Sequence, residues 1–71
     1  MKRYGKNTIK QGMRIRYNST NRIYNTSPAI IDTKYGEQIG YITYDLFYNM
    51  LKSGKIKKDF GDYWYAEYII L

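Results

Sequence analysis

The segment 39–54 contains all the signals of one helix, and it constrains the fold more than any other part of the chain. Thr43 is a favourable N-cap because its hydroxyl oxygen can accept a hydrogen bond from an otherwise unpaired backbone N–H. Gly54 suits the left-handed position that follows many helices. Apolar side chains recur every three or four residues between them, which predicts a helix over 43–53 with one buried face. That face contains Leu46, Phe47, Met50 and Leu51.

Alternation of apolar and polar residues predicts strands on both sides of this helix. The first strand covers 9–17, where apolar residues alternate with the basic residues Arg14 and Arg16. Further strands are expected at 22–26, 29–34, 38–42 and 63–71, with a turn at 59–62. We therefore predict an α+β domain, in which one helix packs on a small antiparallel β-sheet of four to six strands. The element order is β-β-β-β-α-β-β, and such a sheet can curl into a partial barrel.

The chain has 71 residues and no cysteine, which predicts a single domain, 1–71, without disulfides. Ten tyrosines, two phenylalanines and one tryptophan must supply much of its core. The polar segment 1–8 is expected to be a flexible basic arm. No apolar run approaches the roughly 20 residues of a membrane span, and no secretion signal follows Lys2 and Arg3, so we expect a cytoplasmic protein.

The net charge of +6 is concentrated at the N-terminus, since residues 1–22 contain seven basic residues and no acidic one. Such a segment attracts phosphate backbones or an acidic protein surface. In the predicted first strand, Lys10, Arg14 and Arg16 share one face. Two residues advance about 6.6 Å along a strand, which is close to the phosphate spacing of a nucleic acid.

Enzymatic chemistry is not expected, because the sequence has no histidine and no cysteine to act as base or nucleophile. We predict no catalytic residue, metal or cofactor. The sequence instead favours a small non-enzymatic nucleic-acid-binding protein, in which basic residues contact phosphates and tyrosines stack on exposed bases. The candidate residues are Lys10, Arg14, Arg16, Arg22, Tyr17, Tyr24, Lys57, Lys58, Tyr63 and Tyr65.

Two other functions fit the same residues. Tyrosine and arginine dominate protein-interface hot spots, and the codons of the abundant Ile, Lys, Asn and Tyr are rich in A and T. The alternative is therefore an inhibitor encoded by a phage or mobile element, similar to anti-CRISPR proteins, that binds a host nucleic-acid-handling or defence protein. A homodimer formed through the C-terminal strand is the third hypothesis. The phosphate-binding hypothesis requires Lys10, Arg14 and Arg16 to point the same way and to escape neutralisation by carboxylates of the same chain.

Overall fold

The computed structural model describes residues 2–32, 34–61 and 65–71, and it shows a six-stranded sheet with one long helix packed on one face. The elements in chain order are β1 (Lys2–Arg3), β2 (Arg14–Asn18), α1 (Ser19–Tyr24), β3 (Ala29–Ile31), β4 (Gln38–Tyr41), α2 (Tyr44–Ser53), β5 (Ile56–Gly61) and β6 (Tyr65–Ile70). The strand order in the sheet is β1-β4-β3-β2-β6-β5.

The α+β class is confirmed, but two features of the predicted sheet are wrong. The sheet is mixed rather than antiparallel, because β1 runs parallel to β4. The order of elements also differs, since a short helix follows β2 and an additional strand begins the chain. The predicted N-terminal arm thus contributes a strand, and Tyr4 after it packs against the core.

The predicted long helix is confirmed as α2, with both of its predicted ends. The Thr43 hydroxyl accepts a hydrogen bond from the Leu46 N–H at 3.2 Å, and Gly54 ends the helix with a φ of 77°. Phe47 and Met50 are buried as expected. Leu51 is 41% exposed, which corrects its predicted place in the core. On the surface of α2, Leu51 is displaced around the helix axis from Phe47 and falls outside the face that packs on the sheet.

The core lies between α2 and the sheet. Its buried members are Ile15, Ile30, Ile42, Phe47, Met50, Ile56 and Ile70. Because side chains alternate along a strand, Ile15 on β2 faces α2 while Arg14 and Arg16 point to the opposite face of the sheet. The sequence alternation in this part of β2 therefore predicts its two faces correctly.

The predicted strand at 22–26 is wrong, because this part of the chain forms α1. The Asn18 side chain accepts hydrogen bonds from two backbone N–H groups of the following turn, and the Asn21 side chain accepts one from the Asn18 N–H at 2.9 Å. This reciprocal capping satisfies the first backbone donors of a helix. Asn25 then ends α1 with a φ of 54°.

Other predicted boundaries are also corrected. The strand predicted at 29–34 ends at Ile31. The first strand begins at Arg14 rather than at residue 9, because a turn in which Gly12 has a φ of 90° precedes it. Lys10 begins that turn, where its carbonyl oxygen accepts a hydrogen bond from the Met13 N–H at 3.2 Å. The predicted turn at 59–62 is strand as far as Gly61, with a register shift between Lys58 and Phe60 that bends β5. Within the described ranges, no helix is long and apolar enough to cross a membrane.

Candidate nucleic-acid interface

The predicted row of cations on β2 is interrupted by ion pairs within the chain. Arg14 donates from Nε to Glu67 Oε1 at 2.9 Å and from Nη2 to Asp59 Oδ2 at 2.7 Å. Glu67 lies on β6 and Asp59 on β5, so Arg14 ties three neighbouring strands together. Its charge is therefore balanced by two carboxylates rather than offered to a phosphate.

The directions of the pKa shifts of Arg14, Glu67 and the neighbouring Tyr65 agree with these contacts. The Tyr65 hydroxyl donates to Glu67 Oε2 at 2.7 Å, and this hydrogen bond, together with Arg14, holds the pKa of Glu67 below its usual value against the opposing effect of burial. Hydrogen bonds to Asp59 and Glu67 raise the pKa of Arg14. Burial raises the pKa of Tyr65, as does its bond to the carboxylate. We call Arg14, Asp59, Tyr65 and Glu67 the carboxylate network.

The other two members of the predicted row do not extend it. Arg16 lies directly opposite Glu67 in the β2–β6 register, and its Nη1 is 3.5 Å from the carbonyl oxygen of Gly36. Lys10 lies outside the strand. The structure thus brings Arg14 and Arg16 to one face of the sheet, but it places them beside acidic side chains and leaves Lys10 apart.

Aromatic side chains collect on the opposite face, where α2 packs. Tyr17 of β2 lies against Phe47 with 5.1 Å between ring centroids, and against Tyr44 at 5.9 Å. The Arg22 guanidinium lies 5.8 Å from the centroid of the Tyr17 ring. Two predicted residues, Tyr17 and Arg22, are therefore neighbours here because β2 leads directly into α1. Tyr68 contacts Phe47 edge-on at 5.0 Å.

Two tyrosines of α2 extend this aromatic group to the solvent. Tyr44 and Tyr48 are spaced by one helical turn, and their rings are stacked with 6.2 Å between centroids and an interplanar angle of 13°. They are 49% and 47% exposed. Lys52, one turn further, places its ammonium 5.1 Å from the Tyr48 centroid. These three residues are absent from the predicted site, although their spacing of 44, 48 and 52 on the predicted helix is a signal that could have revealed them.

We define the tyrosine surface as the side chains on this side of the molecule that combine rings with positive charge. Its members are Tyr17, Arg22, Tyr44, Tyr48 and Lys52. Burial raises the pKa of Tyr17, so its hydroxyl remains protonated and neutral near pH 7. Asp45 is the one carboxylate in the α2 sequence, and it lies in the first turn, where the helix dipole favours it.

The remaining predicted residues fall in several places. Tyr24 is on α1 and is highly exposed, whereas Tyr65 belongs to the carboxylate network. Lys57 and Lys58 are exposed on β5, on opposite faces of the sheet. Lys58 pairs with Tyr68 in the β5–β6 register, so it points to the same side as α2. Tyr63 lies outside the described residues.

The arrangement of the tyrosine surface can accommodate planar and anionic groups together. Exposed parallel rings offer stacking partners, and the cations beside Tyr17 and Tyr48 can contact phosphates. Comparison of the chain with known proteins gives no matching family model, no matching curated protein and no matching solved structure. The chemistry of the surface is therefore the basis for the functional proposal.

Proposed function

We propose that the chain is a non-enzymatic, cytoplasmic protein that binds single-stranded nucleic acid on the tyrosine surface. The observation that supports this proposal best is the stacked, half-exposed pair Tyr44 and Tyr48 with Lys52 beside it. The proposed ligand is the nucleic acid inferred from the sequence, but the proposed contact lies on α2 rather than on the outer face of β2. Of the predicted residues, Tyr17, Arg22 and Lys58 lie on this side of the molecule.

Stacking gives the surface its preference for unpaired bases. A base enclosed in a duplex presents only its edges, whereas a single strand can lay its rings on tyrosine. Each base stacked on an aromatic side chain contributes about 1–3 kcal/mol by alanine substitution, largely irrespective of sequence. We therefore propose little sequence preference and a clear preference for single strands over duplex.

The cations set the salt dependence. Arg22, Lys52 and Lys58 give about three phosphate contacts, and single strands show a slope of about −0.7 per contact in a plot of log affinity against log salt. Raising salt from 50 to 200 mM should then weaken binding roughly 10- to 20-fold. This is less than the roughly 10²- to 10³-fold loss that five contacts along the N-terminal segment would give.

Fluorescence anisotropy with a labelled oligo(dT) and a labelled oligo(U) tests the proposal. Tyr48→Ala should weaken binding by about 5- to 150-fold, because it removes one stacking ring. Tyr35→Ala is the matched control. Tyr35 is 72% exposed and has Lys34 over its ring at 5.2 Å, but it lies in the turn between β3 and β4, outside α2, and makes no ring–ring contact among the described residues. Equal losses in the two variants, or equal affinity for duplex, would contradict the proposal.

A second candidate function has its own observation. Ile23 and Tyr24 on α1 are 71% and 72% exposed, next to Arg22, and apolar side chains of this kind anchor protein interfaces. An inhibitor of a host nucleic-acid-handling or defence protein would use this helix. A pull-down from host lysate with nuclease treatment distinguishes the two functions. A stoichiometric protein that survives nuclease and is lost with Ile23→Asp favours the inhibitor.

The homodimer remains a prediction with a geometric condition. β6 is already hydrogen-bonded to β2 on one side and to β5 on the other. Two copies could pair edge to edge along this strand only if β5 or β2 were displaced. Sedimentation of the full chain over a range of concentrations would show whether a dimer forms.

A further inference from the structure

A cleft of about 330 Å³ lies along the flank of α2 that is turned away from Tyr44 and Tyr48. Leu46, Asn49 and Ser53 line it from the helix, at the three- and four-residue spacing that places them on one side. The N-terminal segment forms its other wall. The tyrosine surface and this cleft are therefore two separate features of the same helix.

The floor of the cleft is apolar. Ile9 and Leu46 are half-buried and pack against the core, and Met50 belongs to the core itself. A methionine side chain is flexible and polarisable, so it adapts to the shape of an aliphatic group. An apolar body of suitable length would gain by leaving water here.

The rim of the cleft carries two lysines on backbone segments that are held in place. Lys6 lies in a turn in which the Gly5 N–H donates to the Thr8 hydroxyl at 2.7 Å. Lys55 follows α2, where its N–H donates to the Met50 carbonyl and its carbonyl accepts from the Leu71 N–H, both at 2.9 Å. Two lysines from different parts of the chain thus line one cleft.

Among the residues that the structure describes, no acidic side chain lines the cleft, and this makes its charge different from that of the sheet face. In the part of the chain that the structure describes, the only ion pairs are those of Arg14 with Asp59 and Glu67. Lys6 and Lys55 have no carboxylate partner there. The cleft therefore combines an apolar floor with uncompensated positive charge and the polar side chains of Asn49 and Ser53.

We propose that this cleft binds a small amphipathic anion, an aliphatic carboxylate whose head group is recognised by Lys6 and Lys55 and whose chain covers Ile9, Leu46 and Met50. A volume of 330 Å³ corresponds to about ten water-sized groups, at roughly 30 Å³ each. Octanoate, with ten non-hydrogen atoms, matches this size. The site does not depend on nucleic-acid binding, since it shares no residue with the tyrosine surface.

Titration of the ¹⁵N-labelled protein with octanoate, followed by amide chemical shifts, tests the proposal. We expect the largest shifts at Lys6, Asn49 and Ser53, and weaker binding as the chain is shortened to hexanoate and butanoate, by about two- to fourfold per methylene. 1-Octanol has the aliphatic chain without the negative charge, so it tests whether the anionic head group is recognised. Inorganic phosphate has negative charge without an aliphatic chain, so it tests whether the apolar floor contributes to binding. If either binds as tightly as octanoate, the proposed recognition is wrong.

Lysine variants test which charges are used. Lys6→Gln and Lys55→Gln should each weaken octanoate binding about two- to fivefold, the range of an exposed ion pair. Lys57→Gln is the matched control, because Lys57 is an exposed lysine on the other face of the sheet. An equal loss in Lys57→Gln would show general attraction to a basic protein and would overturn the proposal.

Discussion

Arg14 and Arg22 are both arginines of the basic N-terminal segment, but the structure places them beside different groups. Arg14 lies between Asp59 and Glu67 and joins three strands, whereas Arg22 lies over the ring of Tyr17. The first contributes to the cohesion of the sheet, and the second belongs to a surface rich in exposed aromatic rings. A local excess of basic residues in a sequence therefore does not show which of their charges a ligand can reach.

The largest expected effect is on the core beneath the tyrosine surface. Phe47→Ala should lower the free energy of unfolding by about 3–5 kcal/mol, because the ring is buried and contacts Tyr17 and Tyr68. Such a loss would unfold much of a marginally stable small domain. Chemical denaturation followed by circular dichroism measures it. Tyr48→Ala, on the exposed side of the same helix, should change stability by less than about 1 kcal/mol. Similar losses in both variants would mean that the exposed rings are structural.

A smaller effect is expected in the carboxylate network. Arg14→Gln should destabilise the fold by about 1–2 kcal/mol, since it leaves two carboxylates without their cation, and partial exposure reduces the loss. Denaturation of Arg14→Gln beside Lys57→Gln measures the difference. If Arg14→Gln were as stable as the wild-type chain, the ion pairs would not hold the sheet together, and the contrast between the two arginines would fail.

The α2 helix could be predicted from the sequence because its signals are local. Thr43, Gly54 and the apolar spacing between them all lie within twelve residues. The sequence predicts a strand over 22–26 where α1 forms, because asparagine and serine residues favour turns and helix caps by the same side-chain hydrogen bonds. The reciprocal side-chain hydrogen bonds of Asn18 and Asn21 form a capping box, which favours the helix over a strand here.

The carboxylate network could not be predicted, because its partners are distant in sequence. Glu67 is 53 residues from Arg14, and Asp59 is 45 residues away. Their meeting depends on β6 lying between β2 and β5, which no local pattern encodes. The stacked pair Tyr44 and Tyr48 could have been predicted, since a spacing of four residues on a predicted helix places two rings together.

The smallest expected effect concerns pH. The folded state lowers the pKa of Glu67 through the Tyr65 hydroxyl and Arg14, against burial, from an ordinary value of 4.5. The network therefore contributes its full stability above about pH 4.5, and this contribution is lost as the pH falls through the lower folded value. Thermal unfolding between pH 3 and 7 measures it.

Glu67→Gln should flatten this dependence below the ordinary glutamate pKa, because the variant has no proton to gain there. Glu37→Gln is the control, since this exposed residue lies outside the carboxylate network. If Glu67→Gln lost stability at acidic pH to the same extent as the wild-type chain, the carboxylate network would not be what stabilises the ionised form of Glu67.

The most direct test of the distinction between the two arginines is oligonucleotide affinity as a function of salt for Arg14→Gln and Arg22→Gln. We predict that Arg22→Gln weakens binding to oligo(U) and reduces the slope against log salt by about 0.7, the value of one lost phosphate contact to a single strand. Arg14→Gln should leave both quantities unchanged while the protein remains folded. A reduced slope in Arg14→Gln with no reduction in Arg22→Gln would indicate that the phosphate contact lies on β2. That result would contradict binding of nucleic acid on the tyrosine surface.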